Sequence, residues 1–352
     1  MVRPSLEREY GGRARRGEGK NELLRPSAQR PTRIVCMGGG TGLPVVLRGL
    51  AGKTAASDVD PGVALTAVVA MSDDGGSSGR LRRTRGMLPP GDVRNCLVAL
   101  ARAKNTLRDV FQYRFGGERG LGGHAVGNLL LAALAELKGD FLEAVRLAEQ
   151  LLEARGKVLP CTLAPVQLLA QRDDDSVVVG ERHLARGRGR VVRVELLPRA
   201  PPPVDGILQA IAEADLIAIG PGSLYSSVLP NLLVSGVAAA LRSSRGLKVL
   251  VSNLMTQPGE TDGMSCADHV RAIVEHAGPV LDVVLCNCSL ASPELLARYI
   301  HRGAQPVVGE RAALLQVGVI PVEADLLKTG PRIRHDGRKV ARCLLKLARV
   351  GV

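Results

Sequence analysis

Two glycine-rich turns, each at the end of an apolar run, restrict this chain more than any other feature. The first, Gly38-Gly39-Gly40-Thr41-Gly42, follows Arg33-Ile34-Val35-Cys36-Met37; the second, Ser72-Asp73-Asp74-Gly75-Gly76-Ser77-Ser78-Gly79-Arg80, follows an apolar run from Leu65 to Met71. Runs that are apolar at nearly every position suit strands buried on both faces, as in a parallel sheet. Both turns then fall at carboxyl ends of strands in one sheet, the edge where open α/β folds bind ligands. Glycines let backbone N–H groups approach a phosphate, and the helix expected from Leu43 to Leu50 would aim its positive dipole end at the anion.

A third turn repeats the pattern. Ala214-Asp215-Leu216-Ile217-Ala218-Ile219 reads as a strand, followed by Gly220-Pro221-Gly222-Ser223-Leu224-Tyr225-Ser226-Ser227 and a helix across Asn231 to Leu241. Further strands at Leu247–Ser252 and Val280–Leu285 alternate with helices, which is the signature of parallel βαβ units. Between the two halves, helices are expected at 93–100 with Asp92 as N-cap, at 125–137 and at 141–154. Residues 157–197 break into short apolar segments and suggest an inserted β-hairpin region. The fold class is therefore α/β, a mostly parallel Rossmann-like sheet flanked by helices, in one domain over 33–352. Residues 1–32, with eight Lys and Arg against four Glu and no apolar period, are expected to be a disordered basic arm.

The glycine turns do not announce a dinucleotide enzyme. G-x-G-x-x-G fails because its last position is Leu43 in one register and Val45 in the other, and Gly49 to Thr54 lacks the first glycine of a Walker A loop. The acidic turn carries more chemistry than a turn needs: Asp73, Asp74, Ser77, Ser78 and Arg80 could hold a sugar, a phosphate or Mg²⁺, the last at Asp73 or Asp74 with phosphate oxygens completing its shell. The two carboxylates point in different directions, so at most one is central. Ser223, Ser226 and Ser227 can donate to a diphosphate beside the backbone of Gly222, and Asn231 can read a neighbouring hydroxyl or carbonyl. His124, in a glycine turn at a helix start, suits an anion or a sugar hydroxyl.

Composition narrows the partners. A net charge of +13 raises the question of nucleic acid, but only 2% of residues are aromatic and none is Trp, so the stacking platforms of single-strand binders are missing. Nucleic acid is not the expected partner. The seven cysteines are odd in number and sit mostly in apolar runs, which is reduced, cytoplasmic usage. Cys286-Asn287-Cys288 is the one close pair, with its thiols expected on one face of a strand and no zinc site expected there. No apolar run is long enough to span a membrane.

Taken together, Gly-Gly-Gly-Thr-Gly-Leu at 38–43, Asp-Asp-Gly-Gly-Ser-Ser-Gly-Arg-Leu-Arg at 73–82, Pro-Pro-Gly-Asp at 89–92 with Arg94-Asn95, Gly-His with Gly-Asn-Leu-Leu-Leu at 123–131, Gly-Pro-Gly-Ser-Leu-Tyr at 220–225, Leu-Pro-Asn-Leu-Leu at 229–233, Asn-Leu-Met-Thr-Gln-Pro-Gly-Glu-Thr at 253–261 and Arg334-His335-Asp336 closely resemble the YvcK-like branch of the CofD-like family, the gluconeogenesis factors. The resemblance covers about residues 33–350. It implies a CofD fold and a cytoplasmic regulator, not an enzyme. The expected ligand is a UDP-sugar such as UDP-N-acetylglucosamine, with no required cofactor. The regulator would link that sugar to cell shape and cell-wall synthesis on gluconeogenic carbon, as a homodimer with protein partners in cell-wall regulation.

The ligand contacts this reading expects are Gly39, Gly40, Thr41, Asp73, Asp74, Ser77, Ser78, Arg80, Asn95, His124, Asn128, Gly222, Ser223, Tyr225 and Asn231. The resemblance alone adds Tyr299 and Arg334. The family's other branch, 2-phospho-L-lactate transferase, implies the rival: a Mg²⁺-dependent phospholactyl-type transfer with Asp73, Asp74, Asp92 and Arg80 as its catalytic set. The position after Arg334-His335-Asp336, a Thr and a phosphorylation site in some members, is Gly337 here, so that control is absent.

Overall fold

The apolar run after Arg33 becomes the middle of a seven-stranded parallel sheet. The structure, a computed structural model, describes residues 30–52, 62–102, 106–117, 119–184 and 190–350. The basic arm expected over 1–32 lies outside the described residues up to residue 29. The strands in chain order are β1 (Thr32–Gly38), β2 (Val63–Val69), β3 (Lys157–Pro160), β4 (Gln167–Arg172), β5 (Val177–Val179), β6 (Val191–Leu197), β7 (Leu216–Ile219), β8 (Leu247–Val251), β9 (Val283–Asn287) and β10 (Ile320–Ala324). The main sheet runs β10-β9-β8-β7-β1-β2-β3, and β5-β4-β6 form a separate three-stranded antiparallel sheet.

This order is Rossmann-like. The chain leaves β1 for β2 and β3 on one side and, after the small sheet, returns as β7 to build β8, β9 and β10 on the other. Strand order thus reverses between β1 and β7, whose neighbours match Ile34 to Leu216 and Met37 to Ile219 in register. Ile34 to Gly38 and all four residues of β7 are buried, because helices cover both faces. The helix Leu43–Ala51 packs against Gly91–Leu100 and the C-terminal helix Gly337–Val350. A Cβ on Gly49 would lie 1.9 Å from the Gly337 carbonyl oxygen. That glycine therefore serves a backbone-to-backbone helix crossing. No single described helix is long and apolar enough to cross a membrane.

Several local expectations are corrected. Gly76 to Arg80 are not loop: a ten-residue helix, Gly76–Arg85, starts there, and Gly79 lets its first turn close on the acidic turn, since a Cβ would lie 1.8 Å from the Asp74 carbonyl oxygen. Poor intrinsic propensity is overridden by tertiary packing. Asp92 does not cap the helix Gly91–Leu100; Pro90 holds the N-cap position, and the Asp92 carboxylate reaches across to β1's turn instead. The helix expected across Asn231 to Leu241 is two helices, Leu229–Leu232 and Val237–Ser243, because Gly236 adopts φ +76° between them; a π-helical turn, Leu224–Val228, precedes both. The helix begun at Phe141 stops at Leu151.

Within 157–197 the first four residues belong to the main sheet as its edge strand, and only β4, β5 and β6 form the antiparallel piece. On β3's open side the Val158 N–H donates to the Glu149 carboxylate, and Pro160, two residues on, has no N–H. Cys288 lies beyond the end of β9 and is exposed; the buried partner of Cys286 is Cys266, with the sulfurs 3.7 Å apart.

Candidate functional site

The first and third glycine turns, 38–42 and 220–227, interlock at the carboxyl ends of β1 and β7, where strand order reverses, which is the place an open α/β sheet offers a crevice. A Cβ on Gly42 would lie 2.1 Å from the Pro221 carbonyl oxygen, and one on Gly39 would lie 2.8 Å from Asp92 Oδ2 and 3.3 Å from Ser227 Cβ. Asn231, wholly buried, staples the loops by donating from Nδ2 to the carbonyls of Gly38 at 3.1 Å and Ser227 at 2.8 Å. Its work is internal to the crevice wall. Gly222 is clasped by Asn253, whose Oδ1 accepts the Gly222 N–H at 3.2 Å while Nδ2 donates to the Gly222 carbonyl at 2.9 Å.

Two of the amides expected to face a phosphate are therefore engaged. Gly40, at φ +60°, donates its N–H to Asp92 Oδ2 at 2.6 Å, and Gly222 donates to Asn253. The helix Leu43–Ala51 has no side-chain cap, but Pro44 has no N–H and the Val45 N–H donates to the Gly42 carbonyl at 3.0 Å, so Leu43 is the first-turn residue whose amide can meet an anion. Thr41 is exposed beside it. Across the crevice the Ser223 hydroxyl donates to the buried Glu260 carboxylate.

Four carboxylates from distant segments converge here. Burial pushes Asp92 up to about 6, with Asp73 adding to the rise. Asp73 is also raised, first by burial, although the Gly75 N–H and the Ser78 hydroxyl bond to it. Glu181, from the short helix Glu181–Leu184 beyond β5, faces Ser226 and is pushed up to about 8, first by burial, then by Asp73 and Asp92. Glu260 is raised by burial, with its Ser223 hydrogen bond and Arg172 opposing. Arg172, 1% exposed on β4, ties this corner together by donating to the Leu184 carbonyl. Asp74 turns away: its Oδ1 accepts the Arg182 N–H at 3.0 Å and clamps the small sheet onto the acidic turn.

A raised acid stabilises the fold while protonated. Glu181's share is fully present below its ordinary pKa near 4.5 and is lost as pH rises through about 8. The parent should lose on the order of 2 kcal/mol between pH 6 and pH 9 that Glu181→Gln does not lose. Unfolding midpoints of both proteins across that range check this, and identical pH slopes would contradict it.

The helix Gly76–Arg85 splits its polar residues between two sides. Ser78 accepts the Gly91 N–H at 3.1 Å and faces Asp73, while Ser77 meets His124 Nδ1 at 2.9 Å and Asn128 Nδ2 at 3.0 Å. Arg80 donates to the Gly122 carbonyl at 2.7 Å. Asn95 bonds to Asp92 and accepts from Arg94 at 2.6 Å, which joins the two sides. Tyr225 is turned into the core, 3% exposed, with its ring 6.4 Å from that of His276. Tyr299 and Arg334 lie farther along the same edge, where they line a cavity of about 600 Å³ with Arg298, Arg302 and Arg332. The Tyr299 hydroxyl accepts the Ile333 N–H at 3.2 Å, and His335 bonds to the Ser252 carbonyl, one residue from Asn253.

Oxygen donors of this kind suit Mg²⁺, but among the described residues no three His, Cys, Asp or Glu side chains are arranged to hold an ion by themselves. Asp73 and Asp92 would hold Mg²⁺ only with phosphate oxygens of a ligand completing the shell. Glu181, Glu260, Asn253 and Arg94 were not singled out for roles from the sequence. Asn253 and Glu260 stand within the stretch 253–261 that carries the family resemblance, so a signal existed for them.

Comparison with known proteins gives a family. A family model described as 2-phospho-L-lactate transferase CofD matches residues 34–327. The gluconeogenesis factor of Halalkalibacterium halodurans is 42% identical over 315 residues, 89% of this chain and 95% of that protein. The gluconeogenesis factor of Bacillus subtilis is 42% identical over 321 residues, 91% of this chain and 98% of that protein. A crystal structure of a Bacillus halodurans protein, a member of the upf0052 family, superposes with a TM-score of 0.85 at 40% identity, covering 90% of this chain and 99% of that one.

Proposed function

The chain belongs to the CofD family, and from that premise we propose that it is a gluconeogenesis factor: a cytoplasmic regulatory protein that binds a UDP-sugar, UDP-N-acetylglucosamine or a close relative, between its two glycine turns. One observation carries the reading: the turns after β1 and β7 interlock at the reversal of strand order, so one ligand touches both. The Leu43 amide with Thr41 and Ser223 meets the diphosphate, and the arginine-lined cavity at Tyr299 and Arg334 takes a second part of an extended ligand. Asp73 and Asn95 lie on the other flank, toward a sugar, whereas Asn128 is held behind the helix Gly76–Arg85 by Ser77. The regulated processes are cell shape and cell-wall synthesis on gluconeogenic carbon.

The carboxylates Asp73, Asp92 and Glu181 favour keeping one rival, a Mg²⁺-dependent phospholactyl-type transferase. There Asp73 and Asp92 would hold the metal, which would supply charge neutralisation; Asp74 is committed to the Arg182 amide, and Arg80 is turned to the Gly122 carbonyl on the other side of its helix.

Thermal unfolding with and without Mg²⁺ separates the readings. UDP-N-acetylglucosamine at about 100 times its Kd should add roughly 2.7 kcal/mol of stability, and NAD none. Asp73→Asn should weaken UDP-sugar binding by about 1.5–3 kcal/mol, the same with or without Mg²⁺, if Asp73 accepts hydrogen bonds from the sugar. Stabilisation by NAD and by no UDP-sugar would sink the proposal. Binding that needs Mg²⁺ in the parent, loses that need in Asp73→Asn and accompanies turnover of a nucleotide donor would establish the transferase.

A further inference from the structure

Three arginines and a histidine converge on the turn 122–124, on the side of the helix Gly76–Arg85 away from the glycine turns. Arg80 donates to the Gly122 carbonyl at 2.7 Å and Arg114 to the Gly123 carbonyl at 2.6 Å. His124, 9% exposed, meets the Ser77 hydroxyl at 2.9 Å. Arg94, 7% exposed, gives one N–H to Asn95 while its Nε is buried without a partner. Asn128, 1% exposed, keeps Oδ1 buried without a partner beside them.

None of these three arginines is ion-paired with a carboxylate among the described residues. The groups repel one another: after burial, Arg114 is the next influence lowering Arg94, with Asp92 opposing it in part, and Arg80 and Arg114 are the next lowering His124. The thirteen-residue helix Val126–Lys138 starts at the same turn with no side-chain cap and no acid in its first turn, which adds positive potential. A fold keeps cations this close when an anion compensates them.

We propose that Arg80, Arg94, Arg114 and His124 form a second anion site, separate from the glycine-turn crevice, that takes one compact oxyanion, a carboxylate or a phosphate group. Arginine forks match either anion in two-point contact, and the buried Arg94 Nε is a donor held ready for it. The polar path Gly40, Asp92, Asn95, Arg94 links the two sites, so the anion comes either from the far end of the ligand in the crevice or from a separate small effector.

Calorimetric titration with inorganic phosphate tests the site itself. Saturable binding is expected, at least tenfold weaker in Arg114→Gln and retained in Ser223→Leu; Arg114 is exposed, so its replacement leaves the fold intact. Phosphate binding that is absent, or that is lost in Ser223→Leu and unchanged in Arg114→Gln, overturns the proposal. A second titration rests on the UDP-sugar reading and finds the anion's source. UDP-glucuronate and UDP-glucose differ by one carboxylate. A tenfold preference for the former that disappears in Arg114→Gln puts the anion on the ligand, whereas equal affinities beside intact phosphate binding assign it to a separate effector. If neither nucleotide sugar binds, the crevice reading fails while the phosphate titration still decides the second site.

Discussion

Gly42→Ala is expected to abolish UDP-sugar binding, raising the Kd at least a hundredfold, and to destabilise the fold by several kcal/mol as an overpacking change. Its φ of −76° suits any residue, so the cause is space alone. The added Cβ would lie 2.1 Å from the Pro221 carbonyl oxygen and 2.6 Å from its carbon. No side chain can swing aside, because both partners are backbone. The methyl must drive the turn after β1 away from the turn after β7, and a ligand that touches both loses one of them. Gly52→Ala is the control, since a Cβ there meets nothing within 4 Å. Calorimetry and unfolding midpoints of both variants read the result; parental affinity in Gly42→Ala would show that the interlocked turns do not form the binding crevice.

Ser223→Leu is the second change expected to remove binding altogether. Ser223 sits at φ −54° and ψ 125°, a conformation leucine adopts without strain, so the backbone of the turn survives. The larger side chain occupies the crevice opposite Thr41. It also takes the hydroxyl away from the Glu260 carboxylate, which is 6% exposed, and an acceptor left short of a buried partner costs about 1–3 kcal/mol. A stable variant with unchanged Kd would make the second glycine turn structural. The stability loss should shrink as pH falls, because Glu260, already raised by burial, is then protonated and needs its partner less.

Which features were legible follows from how local their causes are. β1 and β7 could be read because a central parallel strand is buried on both faces and leaves an uninterrupted apolar run, and the turns at their ends carry their own glycines. Asp92 stands where an N-cap should be, but its partner is the Gly40 amide, 52 residues earlier. Glu181 falls within residues 157–197, which read as an inserted β-hairpin region with no tie to the acidic turn. Only the antiparallel sheet, fastened by the bond from the Arg182 amide to Asp74 across 108 residues, brings it to the other acids. Asn231 and Tyr225 show the reverse error. A polar residue beside a glycine turn can face the crevice or the core, and spacing does not tell which.

The bond from the Val158 amide to Glu149 and the imide nitrogen of Pro160 together leave the outer side of β3 without a free donor where a neighbouring strand would dock. A seven-stranded parallel sheet is thus closed to β-augmentation along that border, by one carboxylate and one pyrrolidine ring. Two copies of the chain cannot join into a continuous sheet through β3, and a peptide cannot add itself there as an eighth strand. Removing the carboxylate, as in Glu149→Ala, would unmask one amide on an otherwise ordered border, and the consequence to look for is self-association that grows with protein concentration while the glycine turns, at the ends of the interior strands β1 and β7, stay as they are.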